Sequence, residues 1–374
     1  MAWPFGLGTL DDVVKRFPRS GIDPTATRVA AIAEHLDVPI RVAGASREVI
    51  GRKRLPLQPY LADQIARADD TVDAPPAEIR QFLDEHVAAL DELRTLLSGG
   101  AVPHWPVNVD DVVRSSIPDL VSHMQLFRIL AADALDRERR GDHVTAWQDV
   151  EAGWRLAQGL WPQPDLVSAT ISLAGTRVMN DVAAKLAAPA PPWHRELLAF
   201  DAERALAGAM QFEAWRALTF AKRSPGREAD DKNRPPRMIG SFVRAMLRPS
   251  RLRRASADAS TLREVAVELA RPPSCGDVPM RRANIDNVEG ILRRLRRFRV
   301  ERETAEKLLA LKEQRRRSGV WPESMPGIER SSCSDSSWRY RREADGSMSL
   351  SFSGAIAEER NGAAALPQSF HYAK

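Results

Sequence analysis

The sequence predicts a mostly α-helical protein in which antiparallel helical hairpins stack into a bundle or short solenoid, with a small C-terminal β-hairpin. Three observations predict it. Apolar residues recur every three or four positions through most of the chain, Gly or Pro breaks separate those stretches, and strict alternation occurs late in the chain. With 374 residues, 43% hydrophobic and 28% charged, the chain can bury a core, which excludes a wholly disordered or collagen-like class.

Short helices are expected in the N-terminal part, residues 1–100: two between about 9 and 50, and a third at 57–67. Pro75-Pro76 then opens a stronger helix, because proline is favoured in the first turn, and Gly99-Gly100 ends it. Its core-facing positions are spaced by three and four residues: Ile79, Phe82, Leu83, His86, Leu90, Leu93 and Leu97.

The centre of the chain predicts four longer helices, at 119–140, 143–161, 165–187 and 194–222. Gly141-Asp142 separates the first two, and proline-containing steps separate the others. Because these connections are short, neighbouring helices are expected to lie antiparallel.

The C-terminal third changes character after the helical unit at 1–222. Residues 223–237 are charged and rich in proline, which predicts a linker or mobile loop. Arg-rich helices are expected within 238–318, at 238–248, 258–270 and 284–318. In the tail, residues 319–374, apolar and polar residues alternate on both sides of Asp345-Gly346, which predicts a β-hairpin over 337–352 that packs on the helices.

Two stretches resemble known families. The hairpin at 119–161, with small residues at Ala146 and Ala152, resembles one tetratricopeptide-type unit, which implies stacked helical hairpins. The long helix that runs into Ser318-Gly319-Val320-Trp321-Pro322-Glu323-Ser324, followed by WRYRR…DGSMSLSFS, resembles the C-terminal end of a set of functionally uncharacterised, mostly helical bacterial proteins. Those tails are similar to the globular end of secretion pseudopilins. The resemblance implies an architecture without an activity.

The two cysteines, Cys275 and Cys333, lie in Ser-, Pro- and Gly-rich surroundings and cannot supply a disulfide framework or a four-thiolate zinc site. We therefore expect two free thiols on loops. The first residues lack the pattern of a secretory signal, and no run approaches the roughly 20 apolar residues that cross a bilayer. These observations predict a soluble cytoplasmic protein with no transmembrane segment.

Polar residues on the apolar stripe of a helix are candidates for chemistry, because burying them is unfavourable unless they are paired or bind a ligand. In the central helices these are His123, Glu151, Arg177, Asp181 and Glu213. A buried Glu with a raised pKa could act as a general acid or base, with His123 as its partner. Alternatively, the residues satisfy one another or the backbone across helix contacts and have a structural role. A metal is less favoured, since the Glu-x-x-His pair of di-iron bundles is absent from the sequence.

Asp69, Asp70 and Asp73 fit a D-D-x-x-D pattern and resemble the magnesium and diphosphate motif of class I isoprenoid enzymes. Clustered carboxylates bridge Mg²⁺ ions to diphosphate oxygens and promote departure of the leaving group. Asn180-Asp181 resembles the start of the second metal motif, although alanines stand where that motif has Ser and Glu. The other interpretation is a turn, since acidic residues are favoured just before a helix.

Five of the nine tryptophans cluster in the central helices and the turn between them: Trp147, Trp154, Trp161, Trp193 and Trp215. Such a group either lines a cavity for an apolar small molecule or fills the core. The aromatic content of 6% argues mildly against a cavity that cradles a carbocation.

The basic residues are concentrated in one segment. Residues 222–317 contain 26 Lys and Arg against 13 Asp and Glu, a net charge of +13 in a chain whose total is +5, so the remainder carries −8. A cluster on the last helix could meet an anionic surface: Arg293, Arg294, Arg296 and Arg297. The acidic remainder offers an intramolecular partner instead. Nucleic acid is a less favoured partner, because no nucleic-acid-binding fold is recognisable.

The sequence favours a helical binding or scaffold protein with an apolar small molecule or a protein as its partner and no cofactor. The alternative is an enzyme with a site inside the central bundle, most concretely a Mg²⁺-dependent isoprenoid diphosphate lyase or cyclase. That enzyme needs the aspartates at 69, 70 and 73 to face a cavity together with Asp181, whereas a scaffold has a filled interior. Other catalytic patterns, such as a P-loop or H-E-x-x-H, are absent from the sequence.

Overall fold

The computed structural model describes residues 15, 17, 20–40, 55–107, 109, 119–223, 275, 286–356 and 367–373. This part of the chain is mostly helical and carries a small antiparallel sheet at its C-terminal end, which confirms the predicted fold class. The predicted linker after residue 223 and the predicted helices at 238–248 and 258–270 lie outside the described residues.

Ten helices are described. In chain order they are α1 (Pro24–His35), α2 (Leu57–Ile65), α3 (Ala77–Glu85), α4 (Val87–Leu97), α5 (Leu120–Arg139), α6 (His143–Leu160), α7 (Leu166–Ala183), α8 (His194–Ala199), α9 (Ala202–Arg223) and α10 (Asp286–Ser318). Directly before α1, α5, α6 and α7 stands an aspartate whose side chain accepts a hydrogen bond from a backbone N–H of the first turn. These caps satisfy donors that the helix itself leaves unpaired, and so they define where the helices begin.

Helix α6 lies between α5 and α7 and is also contacted by α4. Its connections to α5 and α7 are residues 140–142 and 161–165, so the three helices run antiparallel as predicted. Gly141 makes the first connection with a φ of +81°, a backbone conformation that glycine adopts at no steric cost.

Helix α10 packs along α7 and contributes to two apolar clusters. Its first half places Ile291, Leu295 and Phe298 against residues of α7 and α9, and its second half places Leu308 and Leu311 in the main core. None of the described helices combines the length and the apolar character that a bilayer crossing requires.

The tail forms a three-stranded antiparallel sheet in the order β1 (Ser337–Arg342), β2 (Met348–Ser353) and β3 (Ser369–Tyr372). The pair β1–β2 is the predicted hairpin, with Trp338 opposite Phe352. Strand β3 was not predicted, because its four residues are too few for a clear alternation. It adds buried Phe370 and Tyr372 to the core face of the sheet.

Two predicted helices are each divided in the structure. The helix expected to continue to Leu97 is interrupted at His86, whose Nδ1 lies 2.7 Å from the Phe82 carbonyl oxygen and whose ring stacks on the Phe82 ring. The helix expected at 194–222 breaks at Phe200, and α9 begins after Asp201, whose carboxylate accepts a hydrogen bond from the Arg204 N–H at 2.9 Å. In both cases a local polar contact replaces the continuous pattern that the apolar spacing predicts.

The expectation of two free thiols is wrong. Cys275 and Cys333 form a disulfide, with their Cα atoms 5.6 Å apart. Both residues are buried. The sequence does not reveal the pairing, because 58 positions separate the two cysteines and only the fold brings them together.

Candidate functional site

The five polar residues predicted for the central helices are all buried, with exposed fractions of 8% or less, but they lie in different contacts. The ring of His123 packs edge-on against Trp105, and its Nδ1 donates a hydrogen bond to the Asp119 carbonyl at 3.0 Å. Its Nε2 has no hydrogen-bond partner among the described residues. Burial lowers the pKa of His123 to about 4, so the ring is neutral at neutral pH. These contacts do not include the buried Glu predicted as its partner.

Arg177 and Asp181 are close to each other on α7, and the partner of Arg177 comes from α10. Arg177 donates two hydrogen bonds to Glu301, from Nε at 2.8 Å and from Nη2 at 2.9 Å. Arg297 also donates to this carboxylate, at 3.0 Å. Burial and the nearby Glu301 raise the pKa of Asp181 well above its usual value. The group is a bidentate ion pair that joins α7 to α10.

The two glutamates serve two other helix contacts. Glu151 on α6 pairs with Arg155 at 3.3 Å, and the same guanidinium lies 2.7 Å from Glu196 of α8. Glu213 on α9 accepts a hydrogen bond from the first backbone N–H of α7 at 3.3 Å, and burial raises its pKa. The structure therefore distributes the five predicted residues over separate contacts and does not gather them around one ligand.

The helices of the central bundle approach each other closely. A Cβ atom at Gly153 of α6 would lie 2.2 Å from Sδ of Met179 on α7. One at Gly175 of α7 would lie 2.4 Å from the Phe127 ring on α5. Such separations are shorter than atoms tolerate, so a side chain at either position would require Met179 or the Phe127 ring to move. At these two points the side chains of Met179 and Phe127 occupy the space between the helices.

The tryptophans of the central helices pack inside the bundle. Trp147, Trp154 and Trp215 are buried. Trp154 and Trp161 both pack on the ring of Phe200, at centroid distances of 5.4 and 4.5 Å. Of the two interpretations of the tryptophan cluster, these contacts favour the core.

The three aspartates of the D-D-x-x-D stretch have different partners. These are Thr71 for Asp69, Lys312 and Tyr372 for Asp70, and Arg67 for Asp73. Within the residues that the structure describes, no group of three or more His, Cys, Asp or Glu side chains is arranged to hold a metal ion.

No family model, curated protein or solved structure matches the chain. Its function therefore has to be inferred from its own residues.

One buried ionic network in the bundle was not predicted. Arg94 on α4 is 3% exposed, and its Nη1 donates to Asp133 of α5 and to Asp149 of α6, each at 2.6 Å. Burial opposes the charge on Arg94, but the carboxylates outweigh burial and raise its pKa. Burial raises the pKa of Asp149 as well. The signal was available in the sequence, since Arg94 follows Leu90 and Leu93 on the apolar stripe.

A second unpredicted cluster joins distant parts of the chain at Asp70. Lys312 of α10 donates to this carboxylate at 2.8 Å and to two backbone carbonyls at the end of α7, at 2.7 and 3.0 Å. Tyr372 of β3 donates to the same carboxylate at 2.8 Å. Lys185, whose pKa burial lowers to about 8, donates to carbonyls of the loop that carries Asp70. Because Lys312 has three N–H groups and three acceptors, the cluster is a structural junction.

The Arg cluster of α10 is partly used within the chain. Besides the contact of Arg297 with Glu301, Arg299 donates to Glu203 of α9 at 2.6 Å. The other members of the predicted cluster are half-buried: Arg293, Arg294 and Arg296. Acidic residues of the same chain thus partner at least part of the basic segment.

A cavity of about 460 Å³ lies on the outer face of α3. It is lined by exposed residues of this helix: Ala77, Arg80, Gln81, Asp84 and Glu85. Ligand sites are usually concave, apolar and built from several elements, so this surface depression does not define a site.

Proposed function

We propose that the chain is a helical binding or scaffold protein that acts through its surface and not through a reaction inside the bundle. One observation supports this most directly. Helices α5, α6 and α7 are in direct contact at Gly153 and Gly175, where Met179 and Phe127 occupy the space between them. The buried Arg177, Glu151 and Glu213 also join neighbouring helices, which is what a scaffold requires of them.

The proposed partner is a protein with acidic groups that contacts the first half of α10. This half carries the Arg cluster of α10, residues 293, 294, 296 and 297, in a segment of net charge +13. Complementary charge favours association with an acidic surface and makes it dependent on salt. Since Arg297 is held by Glu301, we expect Arg294 to contribute more to the partner contact.

The enzyme alternative is not proposed. A diphosphate lyase or cyclase would use Asp69, Asp70 and Asp73 as joint ligands of Mg²⁺. Here Asp70 is bonded to Lys312 and Tyr372, and Asp73 to Arg67. An apolar small-molecule ligand likewise has no observation in its favour.

We also propose kinship with the uncharacterised bacterial proteins whose tails resemble pseudopilins. The support is the arrangement of the tail, in which α10 runs into Gly319 and Trp321 and a small antiparallel sheet follows. Superposition of α10 and the sheet on the globular end of a pseudopilin tests the kinship, and a different connection between helix and sheet would contradict it.

The cytoplasmic location that the sequence predicts is based in part on the expectation of two free thiols. Since Cys275 and Cys333 are bonded to each other, that argument no longer supports it.

Titration of the full chain with poly-glutamate, followed by tryptophan fluorescence, tests the proposed partner chemistry. We expect binding at low ionic strength that weakens as salt is added, because screening acts on exposed charges. Arg294→Glu should weaken binding, and the exposed Arg195→Glu on α8 is the matched control. Equal loss in both variants would show that the contact is not on α10.

A second measurement separates the scaffold from the enzyme. Thermal unfolding with millimolar Mg²⁺ and pyrophosphate should leave the midpoint unchanged, because a ligand raises it only if it binds the folded chain. A clear rise of the midpoint, together with no poly-glutamate binding at low salt, would overturn the proposal in favour of the enzyme.

A further inference from the structure

The disulfide links two points that the sequence keeps far apart. The chain has two cysteines in 374 residues, and the fold brings them together across 58 positions. The exposed fractions of Cys275 and Cys333 are 0% and 2%. One end of the link lies ahead of α10, and the other lies between α10 and β1.

The position of Cys333 is set by a carboxylate in the middle of α10. Glu303 accepts three hydrogen bonds from the segment around Cys333: from the Ser331 hydroxyl at 3.1 Å, the Ser332 N–H at 2.6 Å and Trp338 Nε1 at 2.8 Å. The Cys333 N–H in turn donates to the Ser331 oxygen. The loop is thereby held in place by contacts other than the disulfide, which favours bond formation because the thiol is already positioned.

We infer that Cys275 and Cys333 are a site of covalent modification, a permanent structural cross-link installed by a thiol–disulfide oxidoreductase in an oxidising compartment. In the reaction, the thiolate of one cysteine attacks the disulfide of an oxidised dithiol partner and forms a mixed disulfide. The second cysteine then displaces the partner. The chain loses two electrons and two protons, and the partner disulfide is reduced to a dithiol.

Burial distinguishes a permanent cross-link from a redox switch. Exchange requires a thiolate to reach one of the two sulfurs, and both are covered in the folded chain. Regulatory disulfides are exposed or strained, whereas buried ones persist once formed. Such bonds are made and kept outside the reducing cytosol, so the chain is expected to act in the periplasm, at the cell surface or outside the cell.

Thiol trapping in the cells that make the protein tests the compartment. Cells are quenched with acid, free thiols are blocked with N-ethylmaleimide, and the chain is then reduced and labelled with a maleimide polymer that slows its migration. We expect both cysteines to gain the polymer, because both were protected by the disulfide. If the chain gains no polymer after reduction, both thiols were free in the cell and N-ethylmaleimide had already blocked them. That result would overturn the inference.

The rate of reduction separates the cross-link from a switch. With dithiothreitol, the oxidised full chain should be reduced at least about tenfold more slowly in native buffer than in guanidinium, because unfolding must first expose the sulfurs. Equal rates would identify an accessible switch. The comparison uses the unsubstituted chain, so it does not depend on a variant that fails to fold. Glu303→Gln loosens the Cys333 loop, so it is expected to raise the rate at which dithiothreitol reduces the disulfide in native buffer. Glu306→Gln, at an exposed position on the same helix, is the matched control.

Discussion

The central bundle and the C-terminal tail are held together in different ways. In the bundle, α5, α6 and α7 follow one another in the chain and pack directly through contacts at glycine. The tail is fixed by polar groups that are distant in sequence. For example, the Tyr372 hydroxyl donates a hydrogen bond to the carboxylate of Asp70, which lies 302 positions earlier in the chain. The bundle thus depends on packing between neighbours in the chain, whereas the tail adds specific long-range hydrogen bonds and one covalent link to the burial of its own apolar residues.

The two regions also differ in how far their ionic groups are removed from water. The side chains of Arg94, Asp133 and Asp149 in the bundle are 3% exposed or less, while the Asp70 carboxylate at the junction with the tail is 35% exposed. Charges removed from water depend more strongly on their partners than charges that water can still reach. Substitutions in the bundle network are therefore expected to have larger effects than substitutions at the junction.

Arg94→Leu is expected to have the largest effect. It removes one of the two guanidinium groups that contact the buried Asp133 and Asp149, the other being that of Arg137, and breaking such a buried pair lowers the free energy of unfolding by about 3–5 kcal/mol. Urea unfolding measures the loss. Arg28→Leu is the control, because its pair with Glu92 is exposed at the surface, and its loss should be far smaller. Equal losses would mean that burial of the network contributes nothing.

Acid is expected to weaken the bundle next most strongly, through His123. Its pKa is lowered from 6.5 to about 4 in the folded chain, so the unfolded chain binds the proton more tightly. The stabilisation is complete above pH 6.5 and is lost as the pH falls toward 4, by about 3 kcal/mol in total at 1.36 kcal/mol per pH unit. Burial lowers the pKa of His194 to about 4 too, and this residue adds in the same direction.

Urea unfolding at several pH values checks this prediction. His123→Gln should flatten the dependence between pH 6.5 and 4, and His123→Gln with His194→Gln should flatten it further. His143→Gln, at an exposed position, is the control. An unchanged slope in the double variant would show that other groups cause the acid sensitivity.

Glu303→Gln is expected to weaken the tail by about 2 kcal/mol, since hydrogen bonds to a charged acceptor contribute more than neutral ones. Gln offers one oxygen where the Ser332 N–H and Trp338 Nε1 both need an acceptor. Hydrogen exchange should quicken in β1 and β2 while α5 and α6 keep their protection. Equal quickening in the bundle would mean that the two regions unfold together. Glu306→Gln, at an exposed position on the same helix, serves as the control.

The sequence predicted most of the bundle, because its signals are local. An aspartate cap precedes α5, α6 and α7, Gly141 supports a positive φ, and apolar spacing gives the helix faces. The breaks at His86 and Phe200 were missed, since local hydrogen bonds there overrule a continuous apolar pattern.

The candidate residues were harder to predict than the helices. Burial of His123, Glu151 and Arg177 follows from their place on the apolar stripe, and it is confirmed. Their partners do not follow, because Glu301 is 124 positions from Arg177 and joins it only through the packing of α10 on α7. The same limit explains the missed disulfide and the missed strand β3.

Tyr372→Phe is expected to have the smallest effect and to test the junction between the two regions. It removes one hydrogen bond to the partly exposed Asp70, which contributes about 1 kcal/mol. The sensitive readout is local, because the His371 N–H in the same strand donates to the Ala68 carbonyl at 2.8 Å. Hydrogen exchange at the His371 N–H should be faster in the variant, since loss of the Asp70 contact loosens β3 from the loop that carries Ala68 and Asp70.

Tyr340→Phe is the matched comparison for this junction, because it also loses a single tyrosine hydrogen bond. The Tyr340 hydroxyl donates to the Pro322 carbonyl within the tail, at 2.6 Å. Its loss weakens the tail internally but leaves the contact with the Asp70 loop intact, so exchange at His371 should stay slow. If both variants quicken His371 equally, the tail opens as one unit, and Asp70 does not hold β3 separately from the rest of the sheet.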